Sequence, residues 1–218
     1  MAIVPAVIVT DAVRDYLRAS RPEPDPLLAE MEAHAAREGI PVVVPETGQL
    51  LHVLARARGA RRVLEVGTAI GVSTLYLARA LEGGGRVVSF EVDAGRQRAA
   101  RAYLERAGVL ERVELRLQDA RRGLRELDGQ FELAFIDGVK TQYREYLEAL
   151  WPLLAPGAVL AVDNVLMGGG VAEGASDGGW SQEQIASARE FNRRLLEHPE
   201  LAATITPVGD GVLVAVRR

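Results

Sequence analysis

No cysteine occurs in the 218 residues. That absence excludes disulfides, thiolate zinc sites and a cysteine nucleophile at once. Histidine is scarce, and the three present, His34, His52 and His198, lie far apart. Such scatter suits helix surfaces better than a metal cluster, and no Ser/His/Asp spacing points to a hydrolase. A surplus of positive charge is also missing, the formal net charge being −4. Extensive binding to a nucleic-acid backbone is therefore disfavoured, although Arg61-Arg62 and Arg121-Arg122 can still form a local patch. The apolar opening Ala2–Val9 is too short for a membrane span, contains Pro5 and has no basic segment before it, so it lacks signal-peptide form. The expectation is a soluble, cytoplasmic chain. At 48% hydrophobic and 26% charged residues it can bury a full core as one domain over 1–218.

The rarest chemistry is the amine. Of 26 Lys and Arg residues, all but Lys140 are arginine. Arginine keeps its proton at any usable pH, whereas a lysine can lose one where burial or a neighbouring cation favours the neutral form. A single lysine is also consistent with compositional accident. Its setting is what distinguishes it: Phe135-Ile136-Asp137-Gly138-Val139-Lys140 ends an apolar run, where open α/β sheets place their ligands.

The first forty residues read as a helical lead, with Thr10-Asp11 as an N-cap, a Pro22–Pro26 break and a second helix closed by Gly39. The lead spans 1–44 and the core 45–218. A third helix starts at Pro45-Glu46-Thr47 and runs to Gly59. From Arg62 onward, β runs alternate with helical stretches: 62–66, 86–92, 113–117, 131–136 and 158–162 are the expected strands, Pro156-Gly157 preceding the last. Helices are expected near 72–81, 94–107, after Gln118-Asp119-Ala120, around Tyr143 to Trp151, and at 181–197. This alternation predicts a mostly parallel sheet with right-handed crossovers. The tail departs from it, because Ala203 to Pro207, Gly209-Asp210-Gly211 and Val212 to Arg217 read as a hairpin.

Two constellations carry chemistry. In Glu65-Val66-Gly67-Thr68-Ala69-Ile70-Gly71-Val72-Ser73, glycines sit at a strand-to-helix turn where backbone can approach a ligand, although any βα unit can use such a turn. The spacing is not the G-x-G-x-x-G dinucleotide fingerprint. Glu91 closes the next strand, where it is either a ribose-binding acid or a solvated strand end. Asp119-Ala120 either meets an adenine or caps a helix. The second constellation is oxygen-rich: Asp137 ends the fourth strand and Asp163-Asn164 the fifth. Two carboxylates and an amide suit a hard divalent cation such as Mg²⁺, or else they are strand-end caps. Without a cation, two adjacent carboxylates resist ionising together.

The segments PETGQLL, VLEVGTAIGVSTLYLA, VVSFEVD, AFIDGVKTQY, LLAPGAVLAVDNVL and VGDGVLVAV together resemble the cation-dependent O-methyltransferases that use S-adenosylmethionine, the catechol and caffeoyl-CoA group. The resemblance covers about Val43 to Arg217. It implies a class I methyltransferase fold of α/β type: a Rossmann-like, mostly parallel seven-stranded sheet with a C-terminal antiparallel hairpin and helices on both faces. It also implies that Asp137, Asp163 and Asn164 bind the metal. Val43, Glu65, Gly67, Thr68, Ser73, Glu91, Asp119, Ala120 and Asp137 would bind S-adenosylmethionine, and Lys140 beside Asp137 would serve as general base. The expected acceptor is a vicinal-dihydroxy small molecule. Gly138-Val139 departs from many bacterial members, which carry another acidic residue there, and the glycine-rich 167–180 stretch implies a different lid. A homodimer is expected through the lead, with Leu27, Leu28 and Met31 as apolar surface. Competing expectations are a tRNA hydroxyuridine O-methyltransferase of the same family, an NAD-binding oxidoreductase and a non-catalytic nucleotide-binding protein.

Overall fold

Apolar runs punctuated by glycine and proline become the strands. They are β1 (Arg62–Val66), β2 (Arg86–Glu91), β3 (Val113–Leu117), β4 (Phe131–Ile136), β5 (Leu154–Val162), β6 (Leu201–Thr206) and β7 (Val212–Arg217). They form one seven-stranded sheet in the order β3-β2-β1-β4-β5-β7-β6. Strands β1 to β5 pair in parallel, and β7 runs antiparallel to both β5 and β6. The computed structural model describes residues 10–21, 25–174 and 179–218. The apolar opening Ala2–Val9, the prolines Pro22 and Pro24 and the centre of the glycine-rich segment lie outside those residues.

The helices are α1 (Asp11–Ala19), α2 (Pro26–Glu38), α3 (Pro45–Arg58), α4 (Val72–Ala80), α5 (Ala94–Arg106), α6 (Ala120–Gly123), α7 (Tyr143–Leu150), α8 (Gly170–Glu173) and α9 (Gln182–Leu196). Side chains alternate across a strand, so each central strand feeds two cores. Val63, Leu133, Phe135 and Ala161 join α2 to α5 on one face. Leu64, Val66, Ala134 and Ile136 join α6, α7 and α9 on the other. Covering both faces is why the parallel strands read as unbroken apolar runs rather than alternating ones. Each fully buried leucine, such as Leu75 or Leu77 at 0% exposure, contributes about 1.5–3 kcal/mol.

Local signals set most boundaries. The Asp25 carboxylate accepts from Leu27 N at 2.9 Å and Leu28 N at 3.1 Å, and Gly39 closes α2 in the left-handed region at φ 63°. Three boundary differences have a clear physical cause. β5 begins at Leu154, with Pro156-Gly157 inside it; the register slips opposite, between Phe131 and Leu133, and left-handed Gly157 carries the irregularity. α7 stops at Leu150 because Pro152 turns the chain into a 3-10 turn. β6 starts at Leu201 and ends at Thr206, ahead of Pro207. Leu28 and Met31 are buried in the chain's own core and Leu27 packs against it, so these three do not form an exposed face. Among the described residues, no helix is long and apolar enough to cross a membrane.

Candidate active site

The order of strands reverses between β1 and β4, and the carboxyl ends of these strands open a crevice there. The ladder delivers the site residues to it. Gly67 N and Thr68 N both donate to Phe90 O at 3.0 Å, Asp137 N donates to Val66 O at 2.8 Å, and Asp163 N donates to Ile136 O at 3.0 Å. A cavity of about 650 Å³ results, within the range of small-molecule sites. Its wall includes Val43, Gly67, Thr68, Ser73, Glu91, Asp119, Ala120, Asp137, Lys140, Asp163 and Asn164. All the residues expected to bind cofactor or metal are thus together, with one exception: Glu65 lies behind the wall rather than on it.

The glycine turn shows why glycine is needed. Gly67 adopts φ 102°, and a Cβ there would meet the Asp137 carbonyl oxygen at 2.1 Å. Ends of β1 and β4 therefore touch backbone to backbone. Behind the turn, Glu65 is fully buried, and its Oε2 accepts from Thr74 Oγ1 at 2.5 Å and Ser89 Oγ at 2.6 Å. Because Ser89 donates its own proton to Glu65, the 2.5 Å contact to Thr68 makes Thr68 the donor to Ser89. Among the described residues Glu65 Oε1 has no hydrogen-bond partner. Burial raises the pKa of this carboxyl, and the hydroxyl donors only partly offset it.

Glu91 reaches the crevice from β2 and is braced by backbone. Its Oε2 accepts from Ala69 N at 2.8 Å, and Oε1 from Val92 N at 2.8 Å and Asp93 N at 2.9 Å. Asp119 both lines the cavity and caps α6. It accepts from Arg121 N at 2.8 Å and pairs with the Arg121 guanidinium at 2.7 Å, which holds its carboxyl below the usual range.

The oxygen-rich corner is bridged by the chain's one lysine. Lys140 Nζ donates to Asp137 Oδ1 at 2.6 Å, to Asn164 Oδ1 at 2.5 Å and to Tyr143 Oη at 2.7 Å. Tyr143 donates in turn to Asp163 O at 3.0 Å, so the lysine is tied to both strand ends. Asp163 is 4% exposed, and burial, then repulsion from Asp137, push its pKa to about 7. Asn164 is held in the left-handed region at φ 57°, and the residue after it is anchored by Asn192 Nδ2 on Val165 O at 2.8 Å. Among the described residues no three His, Cys, Asp or Glu side chains gather as a metal site, the third oxygen here being an amide. The donor set nevertheless fits a hard cation by its oxygen chemistry, and Asp137 and Asn164 each already direct an oxygen at the Lys140 amine.

Several wall residues had no sequence signal of their own. Trp180, Gln184, Gln118, Arg96 and Tyr146 reach the cavity from helix starts and loops. Tyr143 was legible only as a helix residue, though it follows Lys140 by a single helical turn. The two arginine pairs do not make one patch. Arg62 opens β1 at the opposite edge of the sheet and its guanidinium lies over Phe131, while Arg121 and Arg122 pair with Asp119, Glu145 and Glu126. His34 contacts Tyr103 Oη, His52 contacts Tyr76 O, and His198 lies against Trp151, all away from the crevice.

A parallel sheet closed by an antiparallel hairpin, with its cavity at the β1/β4 switch point, defines a Rossmann-like class I methyltransferase fold. Residues 20–218 match the O-methyltransferase family, and the chain belongs to that family. It is 39% identical over 202 residues to a catechol O-methyltransferase of Mycobacterium tuberculosis, covering 89% of this chain and 90% of that one. A catechol O-methyltransferase of Niastella koreensis is 34% identical over 205 residues, with 89% and 90% covered. The O-methyltransferase of Bacillus cereus, solved with SAH, superposes with a TM-score of 0.84 at 32% identity, covering 95% of this chain and 97% of that one. TomG of Streptomyces achromogenes, solved with SAM, gives 0.83 at 32% identity, with 94% and 96% covered. The protein is an S-adenosylmethionine-dependent O-methyltransferase. An NAD-binding oxidoreductase and a non-catalytic nucleotide-binding protein are thereby set aside.

Proposed function

We propose that the enzyme methylates one hydroxyl of a vicinal-dihydroxy aromatic, catechol-like small molecule, and that it depends on a divalent cation, Mg²⁺ by its oxygen-only donor set. The observation that carries this reading is the convergence of Asp137, Asn164 and Lys140 at 2.5–2.6 Å in the wall of the cavity. Asp137, Asp163 and Asn164 would hold the cation. When bound, the cation supplies Lewis acidity toward adjacent acceptor oxygens, and S-adenosylmethionine supplies an electrophilic methyl group.

The chain's own residues do the rest. Glu91 offers its carboxylate to the ribose hydroxyls, and the Gly67 turn lets the cofactor approach backbone. Thr68, Ser73, Val43 and Ala120 shape its bed, Asp119 stands at the adenine end, and Glu65 Oε1 is a spare buried acceptor behind the methionine end. Lys140, in its amine form, takes the proton of the acceptor hydroxyl, while Tyr143 holds that amine in place. The O–H bond breaks as N–H forms, and the oxygen then takes the methyl group as its bond to sulfur breaks, leaving S-adenosylhomocysteine. Walls that exclude water and fix this line of approach supply most of the acceleration.

Methyl transfer from labelled S-adenosylmethionine tests the reading. Catechol should be methylated, a chelator should abolish the rate, and Mg²⁺ should restore it. Lys140→Arg, which keeps the charge but cannot accept a proton, should lower kcat about 100-fold or more. A full rate in chelator would sink the metal claim. Labelling of bulk tRNA without labelling of catechol would replace the acceptor. For assembly, we propose a second copy of the chain as partner, with exposed Tyr16 and Leu17 of α1 as available apolar surface; sedimentation measures it.

A further inference from the structure

The acceptor end of the cavity has one aromatic side chain poised over the reacting corner. Phe90, Tyr146 and Trp180 are the aromatic residues of the wall. Of these only Trp180 places its ring near the amine, with Lys140 Nζ 5.9 Å from the ring centroid. Tyr143 is near the amine too, but it is 2% exposed and closed off beneath it. The indole therefore stands within reach of an acceptor whose hydroxyls approach Lys140.

Trp180 is also held stiffly. It precedes Ser181, the N-cap of α9, whose hydroxyl accepts from Gln184 N at 3.2 Å while Gln184 Oε1 accepts from Ser181 N at 2.8 Å. That reciprocal capping box fixes the entry of the chain into the helix. Trp180 and Ile185 pack in the same small cluster with Met167, as a residue before the cap and one in the first turn do in a hydrophobic staple. Left-handed Gly168 lies beside the indole, whose Cδ1 would be in ordinary contact, at 3.8 Å, with a Cβ built there. A side chain fixed by a helix cap loses little freedom when a ligand stacks on it.

We infer that Trp180 is a specificity-determining residue of the acceptor site, its indole serving as a stacking platform that selects a flat aromatic ring. The inference rests on the proposed catechol-like acceptor. Offset or edge-on contact between aromatic rings adds to the burial of their faces. Trp180 touches the acceptor skeleton, not the reacting atoms, so its loss acts on acceptor binding.

Steady-state kinetics with catechol, S-adenosylmethionine and Mg²⁺ test this on the full chain. Trp180→Leu should raise the KM for catechol about tenfold and leave kcat within about twofold, while Trp180→Phe recovers most of the affinity. The Kd for S-adenosylhomocysteine should stay unchanged in both, which also shows that the variants fold. A catechol KM within about twofold of wild type in Trp180→Leu, or an equal loss of S-adenosylhomocysteine affinity, overturns the inference. A second readout does not need turnover. Tryptophan occurs only twice, and Trp151 lies away from the cavity against Arg217 and His198. In Trp151→Phe, emission from Trp180 should change on adding catechol to the enzyme with Mg²⁺ and S-adenosylhomocysteine; unchanged emission overturns the stacking. A wild-type enzyme that does not methylate catechol, while Trp180 emission still responds to it, overturns the parent reading alone.

Discussion

Glu65 shows at residue scale how a site residue weighs on stability. Its carboxyl is fully buried, with one oxygen in two hydrogen bonds and the other in none among the described residues. Burial raises its pKa, so the folded chain binds this proton more tightly than the unfolded chain. Its contribution to stability is therefore fully present below the ordinary carboxylate range and is lost as pH rises through the raised value. Glu65→Gln cannot ionise. Urea unfolding of the ligand-free enzyme should show wild type losing more stability than Glu65→Gln as pH rises above the ordinary carboxylate range, and parallel profiles would refute it. Asn164 and Ala69 make a related point, since both take positive φ, at 57° and 45°. Such conformations cost roughly 1–3 kcal/mol and persist where surrounding structure holds them. Both lie beside the cavity, and neither could be recognised from residue type alone, although asparagine is the more tolerant of the two.

At the scale of elements, the close approach is between the ends of β1 and β4. Gly67 serves it twice, through its φ of 102° and through the missing Cβ that would strike the Asp137 carbonyl at 2.1 Å. Gly83 separates the two effects: its φ is 50°, and a Cβ added there would meet nothing within 4 Å. Gly83→Ala should cost only the backbone strain, about 1 kcal/mol. Gly67→Ala should cost about 2–4 kcal/mol and should weaken binding of S-adenosylhomocysteine as well, because β1 and β4 must part. Thermal unfolding and calorimetric titration of the two variants check this; equal losses would mean that strain alone is at stake. The boundaries that expectation misplaced also belong to this scale. Pro156-Gly157 looks like a strand start, yet pairing with β4 begins at Leu154 and accommodates the pair through a slip in register. A neighbouring strand decided that, not the dipeptide.

For the molecule as a whole, the cavity joins segments from the lead through α9, so its occupation should stabilise the entire fold. S-adenosylhomocysteine at about 100 times its Kd should add about 2.7 kcal/mol to the unfolding free energy, and NAD should add nothing measurable. A thermal shift with NAD but not with S-adenosylhomocysteine would contradict the assignment. Much of this molecule was already determined by its sequence. Strand and helix positions follow from apolar periodicity and from glycine and proline punctuation, which act over a few residues. The loop Gly67 to Ser73, Glu91, Asp137, Lys140 and Asp163-Asn164 stood out because strand ends in such sheets face ligands. The burial of Leu28 and Met31, the separation of the arginine pairs, the position of Glu65 behind the wall and the arrival of Trp180 beside Lys140 were decided by tertiary structure alone. Those depend on strand order, register and helix docking, which bring together residues far apart in the chain, and no local pattern encodes such distances.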